Sequence, residues 1–175
     1  MSKNPLQKDS TIYHYQLIKR VHFHRLYLPV VLLPLPVFLA VETYLYGWNE
    51  WPWLIVSYLF VQALHTVLSQ ILLKFRDVAG KTPWHFRLSL PWNGYAPKKN
   101  ISLSFLWQMQ LHLLVIGMAV IGCFVPWVPP LFAANLLFIH LWILIPRLTL
   151  MFFLRSKERD GVVKLNDTDI SLYLP

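Results

Sequence analysis

Residues 131–154 read LFAANLLFIHLWILIPRLTLMFFL, an apolar run that nevertheless contains His140 and Arg147. A helix needs roughly 20 apolar residues to cross the hydrocarbon core of a bilayer, and this run is long enough. The whole chain has the same character, because 56% of its 175 residues are hydrophobic and only 14% are charged. This balance is too apolar for an ordinary soluble domain of this size, so we expect a membrane protein.

Three further runs reach a similar length, and the sequence therefore predicts four transmembrane helices. The predicted spans are residues 26–46, 51–73, 102–124 and 131–154. Together they form a transmembrane domain over residues 26–154, between an N-terminal region of residues 1–25 and a tail of residues 155–175. The polar N-terminus and the lack of a small-residue cleavage site predict that the first span stays in the mature protein.

The orientation follows from the positions of the 16 Lys and Arg residues. Five precede the first span, six lie in the loop of residues 74–101, four lie in the tail, and the last is Arg147. The two short connections, GWNE and PWVPP, contain none. Because Lys and Arg are retained on the cytoplasmic side, we predict cytoplasmic termini and a cytoplasmic central loop, in a plasma (inner) membrane. The net charge of +8 then indicates topology and attraction to anionic lipid, and we expect no nucleic-acid partner.

Outside the spans, the sequence predicts small cytoplasmic elements. The stretch TIYHYQLIKRVHFHR, which follows the candidate N-cap Ser10, places Leu17 and Val21 on one face and predicts an interfacial helix or a plain extension of the first span. Residues 84–92 alternate apolar and polar side chains, which indicates an extended segment. Two β-prone runs around residues 166–169 predict a hairpin in the tail. The predicted fold class is an all-α, four-helix membrane bundle with an N-terminal interfacial helix and small loop and hairpin elements.

The first predicted span has two unusual features. It contains Pro29, Pro34 and Pro36, and because proline removes an amide donor and clashes with the preceding turn, we predict a kink near residues 32–36. It also carries Glu42 near its outer end. This carboxyl either reaches the external head groups or forms a proton or cation site, for which the sequence identifies no partner.

Polar residues inside the predicted spans are the candidates for a functional site. They lie at helical spacing in three spans: Gln62, His65, Thr66 and Ser69 in the second, Ser104, Gln108 and His112 in the third, and His140 and Arg147 in the fourth. Hydrogen bonds between helices are the ordinary role of such residues. The sharper prediction is an inward, cytosol-biased ligand-binding cluster formed by His65, Gln108, His112, His140 and Arg147.

Arg147 has two interpretations of its own. In the first, the spanning helix ends near Pro146 and the following residues run along the inner interface, where the long side chain reaches the head groups. In the second, Arg147 binds a lipid phosphate or a substrate carboxylate in a cavity of the inner leaflet.

Three functional hypotheses follow from these patterns. The chain has one cysteine and six glycines and lacks CxxC, GxSxG, HExxH and Gly-rich phosphate-binding motifs, so we favour a non-enzymatic protein without a cofactor. The first hypothesis is a subunit or accessory factor of a homo-oligomer or a larger membrane complex. The second is binding or transport of a lipid or small molecule through a cytosol-facing polar cavity. The third is a b-type haem protein with His112 and His140 as axial ligands.

Overall fold

The computed structural model describes residues 16–23, 27–76, 83–155, 161–166 and 168–174. Its helices are α1 (Tyr27–Leu32), α2 (Pro34–Tyr46), α3 (Trp51–Phe75), α4 (Leu103–Phe124) and α5 (Pro130–Arg155). Short 3₁₀ helices at Trp48–Glu50 and Val125–Trp127 join α2 to α3 and α4 to α5. The strands are β1 (Gln16–His22), β2 (Trp84–Arg87), β3 (Gly94–Pro97), β4 (Ile101–Ser102), β5 (Val162–Leu165) and β6 (Asp169–Leu174).

Four segments of the described chain are long and apolar enough to cross a membrane, as the sequence predicts. They are Tyr27–Tyr46, Trp48–Phe75, Leu103–Trp127 and Pro130–Arg155. The helices in these segments begin and end within two residues of the predicted limits. Apolar length was therefore a sufficient signal for locating the long helices.

The first span is broken where its prolines predict a break. Helix α1 ends at Leu32 and α2 begins at Pro34, with Leu33 in a turn between them. Proline suits the first turn of a helix, where its missing amide hydrogen has no intrahelical partner to lose. Only Val31 and Glu42 are buried along these two helices, so the first span lies at the edge of the bundle.

The predicted fold class is confirmed only in part: the four long helices are present, but the fold is not all-α, because six strands of the described residues form two sheets at one end of the bundle. The larger sheet has the strand order β1-β6-β5-β4 and the smaller sheet pairs β2 with β3. Every pairing is antiparallel. We call this end of the bundle the sheet side, and we call the end with the two 3₁₀ connections the turn side.

Residues 16–22 form the edge strand β1, so the interfacial helix predicted there is wrong. Residues 10–15, 24 and 25 of that prediction lie outside the described residues. The strand pairs antiparallel with β6, and a hydrogen bond of 3.2 Å from Arg20 Nε to Ser171 Oγ adds to the backbone pairing. The partner strand comes from the far end of the sequence, which explains why the local pattern did not reveal it.

The tail and the central loop associate with each other on the sheet side. Strands β5 and β6 pair around a turn in which the Asn166 amide donates to the Asp169 carbonyl at 3.0 Å. Strand β4 pairs with β5, and Arg87, the last residue of β2, donates to the Leu165 carbonyl at 3.2 Å. The extended segment predicted over residues 84–92 is thus a strand only as far as Arg87.

Two buried hydrophobic clusters connect these elements. The first joins the sheet-side ends of α4 and α5 to the four-stranded sheet through the fully buried Leu103, Leu154 and Leu172. The second lies toward the turn side among α3, α4 and α5, around Leu136 and Ile139. The sheet therefore shares a core with the helices.

Candidate functional site

A short non-helical segment of the central loop enters the helix bundle. Residues 91–94 (PWNG) are all buried, and we call them the inserted loop. The Asn93 side chain accepts a hydrogen bond from Gln62, which lies 11 residues into α3. At 1.5 Å per residue this is about 16 Å along the helix axis, so the inserted loop reaches the middle of α3.

Arg147 holds the inserted loop. Its side chain is 3% exposed; Nε donates to the Pro91 carbonyl at 3.1 Å and Nη2 donates to the Asn93 carbonyl. In apolar surroundings each unpaired backbone group costs several kcal/mol, so the guanidinium supplies donors that this non-helical backbone requires. The interpretation in which the spanning helix ends near Pro146 is wrong, because α5 continues through Pro146 to Arg155.

Tyr58, Gln62 and Asn93 form a hydrogen-bonded network at the tip of the inserted loop. Asn93 Oδ1 lies 3.1 Å from the Tyr58 hydroxyl and accepts from Gln62 Nε2 at 3.2 Å. Asn93 Nδ2 lies 3.0 Å from the same hydroxyl. The network offers uncharged donors and acceptors on the side facing the first span.

His65 and His140 form a buried pair between α3 and α5. His65 Nε2 lies 2.9 Å from His140 Nδ1, and His140 Nε2 lies 3.3 Å from the Leu114 carbonyl oxygen. A carbonyl only accepts, so His140 Nε2 carries a hydrogen; in the neutral ring, His140 Nδ1 then accepts and His65 Nε2 donates. Gly117 makes room for this arrangement, since a Cβ at that position would lie 2.3 Å from His140 Cε1.

A cavity of about 410 Å³ lies beside the network, between the first span, α3 and α5. We call it the lateral cavity. Its volume is within the range of roughly 300–1,000 Å³ that is typical of small-molecule sites. The polar side chains of Tyr58 and Asn93 line one part of it. The apolar wall includes Leu35 and Leu39 from α2, Leu54 and Ile55 from α3, and Ile139 and Trp142 from α5.

The first span contacts α5 along one side of this cavity. Trp142 Nε1 donates to the Val31 carbonyl at 2.7 Å. This bond supplies a partner for a carbonyl near the helix break. The Phe38 and Phe138 rings stack with their centroids 3.9 Å apart. These contacts make the first span a wall of the cavity, while most of its other side chains are exposed.

A further polar contact joins the first span to α5 on the turn side. Glu42 and Asn135 are 2% and 0% exposed, and Asn135 Nδ2 donates to Glu42 Oε1 at 3.0 Å. The remaining side-chain oxygens, Glu42 Oε2 and Asn135 Oδ1, are buried without a hydrogen-bond partner in the described chain. Glu42 therefore points into the bundle, although it lies near the end of its span.

Gln108 and His112 lie outside the interior, in contrast to the prediction. Both are exposed; His112 Nδ1 lies 2.6 Å from the carbonyl oxygen of Gln108, and Gln108 Oε1 accepts from Arg76 Nη2 at 2.9 Å. The polar stripe of α4 faces outward because another face, with Leu106 and Leu113, packs into the core. Of the five predicted site residues, the structure buries His65, His140 and Arg147, with the two histidines in contact, and it places the other two on an exposed face.

The predicted pair of axial haem ligands is not formed. His112 lies on the exposed face of α4, whereas His140 is fully buried and both of its ring nitrogens have protein partners. Within the described residues, no group of three or more His, Cys, Asp or Glu side chains is placed to hold a metal ion. The residues present therefore do not fit bis-histidine haem ligation at His112 and His140.

Inspection of the sequence missed the contributions of Tyr58 and Asn93. One signal was present, since a buried arginine requires acceptors and the turn-like Asn93-Gly94 pair follows an apolar tryptophan in the loop.

No protein-family model matches the chain, and no curated protein or solved structure is significantly similar to it. The fold and the site define its class: a bundle of four long apolar helices with an inserted loop and a lateral cavity.

Proposed function

We propose that the protein is a multi-pass integral membrane protein whose sheets and central loop lie in the cytoplasm, at the plasma (inner) membrane. The apolar length of four helices supports insertion. The absence of Lys and Arg from the two short connections supports the orientation. Trp48 and Trp127 are 70% and 84% exposed at these connections, where indole rings favour the head-group level.

Cysteine labelling in intact cells tests this topology. In a Cys123→Ser background, a membrane-impermeant thiol reagent should label Asn49→Cys on the turn side and should leave Lys164→Cys on the sheet side unlabelled until the cells are opened. Labelling of Lys164→Cys in intact cells would contradict the orientation.

We also propose that the lateral cavity binds a neutral amphiphile from the bilayer, such as a long-chain alcohol or an ester. The observation that carries this proposal is a cavity of about 410 Å³ with an apolar wall and the polar groups of Tyr58 and Asn93 on one part of its surface. This combination of apolar lining and few polar groups is typical of ligand sites. This site lies between helices and therefore differs from the cytosol-facing polar cavity that the sequence predicts.

The chemistry of the polar part favours an uncharged head group. Tyr58 and Asn93 offer a hydroxyl and an amide, which donate and accept hydrogen bonds without a net charge. The nearby cation, Arg147, directs Nε and Nη2 toward carbonyls of the inserted loop. Burying an ion without a partner costs several kcal/mol, so a carboxylate of equal chain length should bind more weakly than the alcohol.

Photo-crosslinking tests the position of the ligand. A photoreactive long-chain alcohol should form adducts on residues of the cavity wall, including Leu39 and Trp142, and the unmodified alcohol should compete for them. A photoreactive fatty acid of equal length is the matched control and should label these residues less. Adducts that are spread over exposed residues such as Leu59, and that are not reduced by competitor, would contradict the proposal.

The subunit hypothesis is a second candidate function, favoured by the edge of the larger sheet. Strand β1 is a terminal strand of that sheet, no other strand of the described chain pairs with its outer edge, and Leu17 and Ile18 are 46% and 41% exposed. An exposed edge strand can accept a strand from another chain. The mass of the protein purified in mild detergent should then exceed the 20.6 kDa of the monomer. The substitution Ile18→Pro in β1 should lower the measured mass. A monomer with no co-purifying protein in both forms would exclude this function.

A further inference from the structure

The Glu42–Asn135 pair has an unbalanced set of hydrogen-bonding atoms. The one hydrogen bond between them runs from Asn135 Nδ2 to Glu42 Oε1 at 3.0 Å. Glu42 Oε2 and Asn135 Oδ1 remain, and both are buried without a partner in the described part of the chain. An ionised carboxylate and an amide oxygen both only accept hydrogen bonds. An ionised Glu42 therefore leaves two buried acceptors that cannot satisfy each other.

No cation of the described chain compensates a charge on Glu42. The titratable or charged side chains on the surrounding elements are Tyr27 on α1, Tyr44 and Tyr46 on α2, Glu50 in the 3₁₀ connection, Tyr58, His65 and Lys74 on α3, and His140, Arg147 and Arg155 on α5. None of them forms a hydrogen bond or salt bridge with Glu42 in the structure. Arg147 lies 12 residues beyond Asn135 on α5, about 18 Å along the helix, and its donors bind the inserted loop.

We propose that Glu42 and Asn135 form a proton-binding site, in which Glu42 Oε2 carries a proton and donates it to Asn135 Oδ1. The acid and the amide then share two hydrogen bonds, Nδ2–H to Oε1 and Oε2–H to Oδ1, and no polar atom of the pair lacks a partner. The carboxyl is neutral, which removes the large cost of a buried, unpaired charge.

This site couples the first span to proton binding. Loss of the proton leaves a charge and an unpaired oxygen between α2 and α5, so it favours separation of these two helices. The docked form of the first span binds one more proton than the separated form. By linkage, docking weakens as the pH rises, by up to about tenfold per pH unit. The inference is independent of the ligand proposed for the lateral cavity, because it rests on the Glu42–Asn135 pair alone.

Infrared spectroscopy of the full chain in lipid nanodiscs tests the proton directly. The wild type should show the carbonyl stretching band of a protonated carboxyl near neutral pH, sensitive to ¹³C labelling of glutamate, and Glu42→Gln should lack this band. A wild type without the band would overturn the proposal. Loss of the band on adding sodium at constant pH would also overturn it, because it would identify a cation site instead.

Thermal unfolding supplies a second readout that does not depend on the infrared band. Glu42→Gln keeps the shape of the side chain and replaces the acid proton by an amide hydrogen, so it should unfold near the wild-type temperature at about pH 6. Raising the pH to about 9 should lower the unfolding temperature of the wild type and leave that of Glu42→Gln unchanged. Equal pH dependence in the two proteins would contradict a proton on Glu42. Glu42→Leu, which removes both hydrogen bonds, should unfold at a lower temperature at both pH values.

Discussion

The sheet side and the turn side of the bundle each contain a buried ionisable residue, and the two residues differ in their hydrogen-bond partners. On the sheet side, Arg147 donates to two carbonyls of the inserted loop, and helices and sheet share a core. On the turn side, Glu42 has one bond to Asn135, in a span whose side chains are mostly exposed. From this comparison we expect the sheet side to be the more stable part of the molecule and the first span, which forms one wall of the lateral cavity, to be the less stable part.

Removing Arg147 should have the largest effect on the sheet side. Arg147→Met leaves the carbonyls of Pro91 and Asn93 buried without their donors, and each such loss costs about 1–3 kcal/mol. We expect the free energy of unfolding, measured by titration with denaturing detergent, to fall by about 3 kcal/mol. Arg76→Met is the matched control, because Arg76 is exposed, and it should change stability by no more than about 0.5 kcal/mol. Equal effects would mean that Arg147 does not anchor the loop.

Alanine substitutions at two glycines test how tightly the inserted loop is packed relative to the turn side. Both have positive φ angles, 120° at Gly94 and 88° at Gly47, so alanine is strained at either position. A Cβ at Gly94 would also lie 2.7 Å from Gln62 Oε1, whereas a Cβ at Gly47 meets nothing within 4 Å. Gly47→Ala should cost about 1 kcal/mol and Gly94→Ala about 1–2 kcal/mol more. Equal losses of unfolding free energy would show that the inserted loop is not tightly packed.

A second glycine pair tests the space reserved for His140. Gly117→Ala places a Cβ 2.3 Å from His140 Cε1, while Gly122→Ala, on the same helix, meets nothing within 4 Å. Overpacking of this kind costs about 1–3 kcal/mol, so Gly117→Ala should be clearly less stable than Gly122→Ala. Adding His140→Ala to Gly117→Ala should make the two changes non-additive, because the residues are in contact. Additive losses in a double-mutant cycle would contradict this contact.

The smallest effect is expected for the stability of the larger sheet, which should fall at low pH because of Asp169. Burial favours the neutral form of Asp169, but hydrogen bonds from Ser171 and Asn166 and the charge of Arg20 outweigh it, so its pKa lies below the ordinary 3.8. A lowered pKa stabilises the folded sheet above about pH 4, and this contribution is lost as the pH falls through the folded-state pKa. Hydrogen exchange of the β6 amides should accelerate on acidification after correction for intrinsic rates. Asp169→Asn should remove that dependence, and an unchanged pH response in this variant would contradict it.

The sequence predicted the parts of the fold that depend on local pattern. Apolar length located the four long helices, and the prolines located the break at Leu33. It missed β1 as a strand because the pairing partner, β6, lies about 150 residues away, as the 151-residue separation of Arg20 and Ser171 shows. Long-range pairing is not encoded in the periodicity of one segment.

The candidate site was predicted only in part, because the sequence does not show how each helix is rotated about its own axis within the bundle. His65, His140 and Arg147 are buried as expected, but the stripe with Gln108 and His112 faces outward. Spacing shows that residues share a face of a helix; it does not show which face packs against neighbours. The inserted loop was missed for another reason, because its polar groups are satisfied by residues distant in sequence, such as Arg147.

Equilibrium binding of a radiolabelled long-chain alcohol to the protein in nanodiscs tests the lateral cavity most directly. Leu35 lines the cavity, whereas Leu45 on the same helix is 60% exposed. The account predicts saturable binding to the wild type and to Leu45→Trp, and at least about tenfold weaker binding to Leu35→Trp, which corresponds to about 1.4 kcal/mol. Equal affinity in all three proteins, or no saturable binding to the wild type, would contradict it.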